Sequence, residues 1–163
     1  MLSPVIDHPA RAIPKVAPFT PPELHARTGR TFRHTIDIYL KDSNAYANTY
    51  FSRYFEWQGI CRERWFHECI SADMLQGLGA FITKRAHTEY LHETFPFQSV
   101  TCELNTHDVR HCSLHLVFRF TVGGTLVASG YQQVAFVRQD KRLQRLPEEI
   151  LERMREYTLL PSA

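Results

Sequence analysis

Between Cys112 and Val122 the side chains alternate, with Cys112, Leu114, Leu116, Phe118, Phe120 and Val122 on one parity and Ser113, His115, Val117, Arg119 and Thr121 on the other. A two-residue period places every second side chain on the same face of a strand, so the stretch has one apolar face and one largely polar face. Gly123-Gly124 follows directly. A glycine pair supplies the positive φ angles of a two-residue hairpin turn, so the next run, Thr125 to Gln139, folds back antiparallel beside the first. A long one-sided hairpin needs an apolar cover, and the rest of the chain must supply it.

More strand and a helix lie on either side. Phe32, His34, Ile36, Ile38 and Leu40 alternate with Arg33, Thr35, Asp37 and Tyr39, which predicts a first strand from near Arg30. Residues 41–48 are polar and turn-prone, and from about Thr49 to about Ile70 the period is that of a helix. After a connection around 71–79, Ala80 to Glu93 and Gln98 to His107 read as two further strands. Leu146-Pro147-Glu148-Glu149 reads as the start of a short terminal helix, with proline at the first helical position and acids at the positive end of the dipole. One strand, a long helix and four consecutive strands predict an α+β domain: an antiparallel sheet of about five strands wrapped around one central helix, the hot-dog arrangement. Such a sheet has open edges, so a homodimer or homotetramer is expected.

Length and charge narrow the classes. At 163 residues one core is the default, read as a domain over 30–163 preceded by an arm over 1–29 that holds Pro4, Pro9, Pro14, Pro18, Pro21 and Pro22. A net charge of +2 gives no electrostatic reason to invoke nucleic acid. Cys61, Cys69, Cys102 and Cys112 form no CxxC pair, so no metal site or disulfide framework is expected, and no cofactor is called for. No apolar run approaches the ~20 residues of a membrane span and no signal-like segment opens the sequence, so the expected location is cytoplasmic and no membrane partner is expected.

The helix carries one anomaly. At 100° per residue, Phe51, Tyr54, Phe55, Gln58, Cys61, Arg62, Trp65 and Phe66 share the arc that faces the sheet, with Arg62 at its centre. Arginine keeps its charge when buried, and an unpaired buried charge is costly. Arg62 therefore either pairs with a sheet carboxylate such as Glu89 or Glu93, or stands in a pocket as a donor to substrate oxygen.

The segment from Asp42 to Gly59 resembles the helix-start signature of 4-hydroxybenzoyl-CoA-type thioesterases. There a paired-acid loop containing glycine leads into the helix, and the position of the catalytic carboxylate matches Asn44 here. Asn44, Tyr54, Trp57-Gln58-Gly59 and Cys61-Arg62-Glu63 are similar to the thioesterases of enediyne polyketide pathways, which have asparagine at that place. Both families have glycine where this sequence has Ala47. The resemblance covers about residues 30–155 and implies hydrolysis of a polyketide or β-ketoacyl thioester held on an acyl carrier protein or coenzyme A. It also implies that Arg62 stands in a pocket beside Asn44, with an acyl chain in an aromatic tunnel.

The residues expected to carry the chemistry follow. Backbone N–H groups at a helix start are unpaired and carry positive potential, so those of Tyr50 and Phe51 are candidate oxyanion donors. Asn44 is uncharged, so it orients water or holds the carbonyl without acting as a strong base, and Arg62 stabilises developing charge. Tyr54, Phe51, Gln58 and Phe55 are candidates for contact with the acyl group, with Trp65 beside them in the tunnel. His107, His111 and His115 recur every fourth residue, but in a strand-turn-strand region that spacing does not gather metal ligands. Two rival readings remain: a hot-dog module that binds acyl thioesters without turnover, and acyl transfer or cyclisation at the same site.

Overall fold

A computed structural model describes residues 30–73 and 79–159, so the Pro-rich arm at 1–29 lies outside the described residues. The alternating stretches form five strands: β1 (Phe32–Asp37), β2 (Ala80–Tyr90), β3 (Ser99–His107), β4 (Ser113–Val122) and β5 (Thr125–Val137). They make one antiparallel sheet in the order β1-β3-β4-β5-β2. Helix α1 (Arg53–Trp65) continues as a π-helical turn (Phe66–Ile70), and α2 (Glu148–Arg155) follows the sheet. This is the expected hot-dog arrangement, with α1 laid against the inner face of the sheet.

The parities read from the sequence are those seen. Leu114, Leu116, Phe118 and Phe120 are buried on β4, and Val100, Cys102 and Leu104 on β3. On α1 the buried side chains are Tyr54, Trp57, Gln58, Cys61 and Trp65. That arc includes Trp57 and leaves Phe51 57% and Phe55 37% exposed. It is turned relative to the expected one, and Arg62 therefore stands at its margin, half-buried, and not at its centre.

Two helix starts differ from expectation. The central helix begins at Arg53, because the backbone donors just before it are committed elsewhere: Thr49 N–H to Thr94 O at 2.8 Å and Tyr50 N–H to Asp42 O at 2.8 Å. Pro147 sits outside α2 with ψ 142, one position earlier than expected. The strands also end slightly sooner than read, β2 at Tyr90 and β5 at Val137. Gly123 and Gly124 have φ of 56° and 82°, as the hairpin requires.

Two features of the sheet position the site. β2 is an edge strand of 11 residues paired only with β5 among the described residues, and nearly all of it is exposed. Its register with β5 shifts between Thr83 and Arg85, a bulge that re-aims the side chains at that point.

Candidate active site

The loop before α1 is built on Asn44. Its N–H donates to Asn48 O at 2.9 Å, its carbonyl accepts from Ala47 N–H at 2.9 Å, and its Oδ1 accepts from Tyr46 N–H at 2.8 Å. This turn puts Ala47 at φ 64°, the left-handed region where glycine is at ease and alanine costs roughly 1–2 kcal/mol. The loop is anchored by Asp42, whose Oδ2 accepts from Tyr39 N–H at 2.9 Å and whose Oδ1 lies 3.4 Å from Arg53 Nε. The side-chain N–H₂ of Asn44 has no partner among the described residues, and Asn44 lines a cleft of about 320 Å³.

That cleft is lined by Asn44, Phe51, Tyr54, Tyr90, His92 and Glu93, among others. The Tyr90 hydroxyl donates to the Phe51 carbonyl at 2.7 Å, while the Phe51 N–H meets no acceptor among the described residues. Of the two amides named from the sequence, that of Tyr50 is taken by Asp42, so Phe51 offers the open donor. Tyr54 is 2% exposed, packed edge-on against Trp57, Tyr90 and Phe120. Its hydroxyl is within 2.8 Å of Thr94 Oγ1, and burial pushes its pKa up. Tyr54 thus forms the floor of the cleft and presents little surface to it.

Glu93 was not singled out from the sequence as a site residue. Its Oε1 accepts from Asn48 Nδ2 at 2.5 Å, which ties a carboxylate to the Asn44 loop from across the cleft. The sequence named it only as a possible carboxylate partner of Arg62, at the end of the run Ala80 to Glu93, and nothing there linked it to Asn44.

Arg62 lies at a second cleft, of about 370 Å³, between the C-terminal half of α1 and the sheet. Trp65, Phe66, Phe81, Leu114, Leu116 and Val134 give this cleft an apolar wall. Arg62 Nη1 donates to Thr83 Oγ1 at 2.8 Å and to Gln132 Oε1 at 2.9 Å. Both acceptors are neutral, and neither Glu89 nor Glu93 is its partner. Burial lowers the Arg62 pKa, with Glu63 opposing.

Within one chain, then, Asn44 and Arg62 line different clefts. Tyr54 and Arg62 are separated by two turns of α1, roughly 12 Å of helix rise. Phe81 and Tyr90, which line the two clefts, are roughly 30 Å apart along β2. Buried Gln58, in contact with neither cleft, bonds to the sheet instead. Phe55 lines neither cleft, and Trp65 lines only that of Arg62. Among the described residues no group of His, Cys, Asp or Glu is placed to hold a metal ion, and no helix is long and apolar enough to cross a membrane.

No curated protein gives a significant match. Among solved structures, the dynemicin thioesterase superposes with a TM-score of 0.74 at 23% identity, over 80% of this chain and 99% of that one. A thioesterase from Thermus thermophilus, solved with coenzyme A and zinc, gives 0.68 at 25%, over 76% and 90%. A 1,4-dihydroxy-2-naphthoyl-CoA thioesterase from Synechocystis gives 0.69 at 13%, over 77% and 96%. The family model described as the thioesterase-like superfamily matches residues 38–154, and with most of the chain inside that match, the protein belongs to this superfamily.

Proposed function

We propose that the protein is an acyl thioesterase whose reaction centre is assembled from two copies of the chain. The observation that carries this is the arrangement of the two clefts at opposite ends of an unpaired edge strand. If two β2 edges pair antiparallel about a two-fold axis, the Ala80 end of one strand lies beside the Tyr90 end of the other. The Arg62 cleft of one protomer then meets the Asn44 cleft of its partner. Neither cleft alone has both an open amide and a guanidinium.

In that centre the thioester carbonyl oxygen accepts from the Phe51 N–H, and Arg62 of the partner subunit neutralises the charge that develops on it. Asn44 Nδ2 orients the carbonyl or the attacking water. Glu93 takes the proton from that water as its oxygen bonds to the carbonyl carbon. The C–S bond then breaks, and the proton passes to the leaving thiolate. The apolar wall around Arg62 holds the acyl chain. The dynemicin thioesterase binds a polyene, which supports a long acyl chain here, read as polyketide or β-ketoacyl from the sequence resemblance, and the coenzyme-A-bound thioesterase from Thermus thermophilus supports a coenzyme A thioester. The thiol carrier is accordingly coenzyme A or an acyl carrier protein, and the compartment that of such carriers, the cytoplasm.

Complementation tests the reading. Asn44→Ala and Arg62→Ala are each expected to cut thiol release from β-ketoacyl thioesters at least about tenfold. Equal mixing of the two, after subunit exchange, restores roughly a quarter of the wild-type rate, because half the dimers are mixed and each has one intact centre. Wild-type rates in the single variants, or no recovery on mixing, would refute it. Acyl-thioester binding without turnover would favour the non-hydrolytic module instead.

A further inference from the structure

The face of α1 that meets the sheet carries a chain of amide hydrogen bonds with one self-consistent direction. It starts at the His87 carbonyl, which only accepts. Gln58 must therefore turn its nitrogen outward, and Nε2 donates to His87 O at 3.0 Å and Thr88 Oγ1 at 2.9 Å. Its Oε1 then faces β5, where Gln132 Nε2 donates to it at 3.3 Å. Gln132 Oε1 is left to accept from Arg62 Nη1 at 2.9 Å, and the chain ends on a group that only donates. A backbone carbonyl on β2 thus fixes the orientation of both glutamines and the place of the guanidinium.

The sequence makes room for this arrangement at Gly130. A Cβ there would overlap both the His87 carbonyl oxygen and Gln58 Nε2. Gln58 and Gln132 are 0% and 5% exposed, so water does not substitute for either. At position 132 a carboxylate would form an ordinary ion pair with Arg62; the chain has a neutral amide. The second holder, Thr83, is neutral too and sits at the β2 bulge. Arg62 makes no ion pair among the described residues, and its Nε and Nη2 make no hydrogen bond there. Glu63, the acid that acts on it electrostatically, is exposed.

We infer that Gln132 is the positioning residue for Arg62, and that its neutrality leaves the guanidinium's charge free for an anionic or oxyanionic group of the acyl substrate. The inference rests on the thioesterase reading above.

The test is a double-mutant cycle. Gln132→Glu and Gln132→Met are each made in the wild-type and Arg62→Ala backgrounds, with folding checked by circular dichroism and thermal melting. Gln132→Glu is expected to lower kcat for β-ketoacyl-CoA hydrolysis at least about tenfold, with a smaller change in KM, and Gln132→Met by several-fold. Neither adds a further loss once Arg62 is alanine. A purely structural role would cost the same factor in both backgrounds, and that result, or wild-type kcat in Gln132→Glu, overturns the proposal. If Gln132→Glu does not fold, Gln132→Met decides by the same criterion. Should the wild type bind acyl-CoA without hydrolysing it, the thioesterase reading fails, and the cycle is read in calorimetric affinity instead. Non-additive loss of affinity then supports the positioning role, additive loss overturns it, and absence of binding overturns both.

Discussion

Gly130→Ala is the sharpest test of the packing beneath the Arg62 cleft, because it adds a single methyl group. Gly130 pairs with Thr88 on β2 and Phe118 on β4, so its backbone is held from both sides. The new methyl meets the His87 carbonyl oxygen, which the β2–β5 ladder holds in place, and the amide of Gln58. Prying the strands apart breaks a ladder, so the cheaper relaxation is for Gln58 to swing away. That abandons its bonds to His87 O and Thr88 Oγ1 and strains the one from Gln132. Each buried polar group left without a partner costs about 1–3 kcal/mol, and overpacking costs a similar amount. Replacing glycine within a strand returns about 0.5–1 kcal/mol. The net expectation is a loss of about 3–4 kcal/mol, or roughly 10 °C in Tm for a chain of this size. Urea titration at fixed protein concentration should show a lower midpoint with an unchanged slope. Gln58→Ala in the same chain should cost less than the sum of the two changes, since it removes one of the colliding partners. A loss below about 1 kcal/mol for Gly130→Ala would refute the steric reasoning.

Two further expectations use other parts of the molecule. Ile82→Asp places a charge on the exposed β2 edge, where two-fold symmetry would repeat it. It should shift the protein toward monomer in sedimentation and abolish thioester hydrolysis while leaving the circular dichroism spectrum intact; a dimer of full activity would contradict the role given to this edge. His34 and His115 both have pKa values lowered from the ordinary 6.5, chiefly by burial. Above that value both states are neutral, and below it the unfolded chain takes up protons that the folded one resists, so stability falls as pH drops from about 6.5. Asp108, held low by Arg110, adds a loss at still lower pH. Tm should therefore decline between about pH 7 and 5, less so in a His34→Gln/His115→Gln variant, and a flat profile in the wild type would contradict the burial argument.

The strands were legible because a two-residue period and a glycine pair encode strand and turn locally. Leu114, Leu116, Phe118 and Phe120 need no distant partner to declare their face. The start of α1 was less legible for an equally local reason: Thr49 to Ser52 keep a helical spacing of aromatics, but the acceptors that claim the N–H groups of Thr49 and Tyr50, Thr94 O and Asp42 O, cannot be read from that spacing. Ideal helix angles also set the buried arc wrongly by enough to omit Trp57 and to centre Arg62, which is marginal. The left-handed turn at Ala47 was foreseeable only through the resemblance, since alanine itself gives no sign of a positive φ.

The site divides in the same way. Arg62 could be found because a charge on an apolar arc needs an explanation, but its partners could not: Gln132 and Thr83 lie on two strands distant from it along the chain. Buried charges are ordinarily paired, yet Arg62 is held by the neutral side chains of Thr83 and Gln132 and by neither Glu89 nor Glu93. Asn44 and Arg62 were linked through a resemblance between sequences, which carries no information about which copy of the chain supplies each residue. Within one chain Asn44 and Arg62 line clefts at opposite ends of β2, and in the dimer proposed above antiparallel pairing of two β2 edges brings one cleft of each copy to the other cleft of its partner. A reaction centre split in this way makes activity depend on association, so specific activity should fall on dilution through the dimer dissociation range even though each chain stays folded.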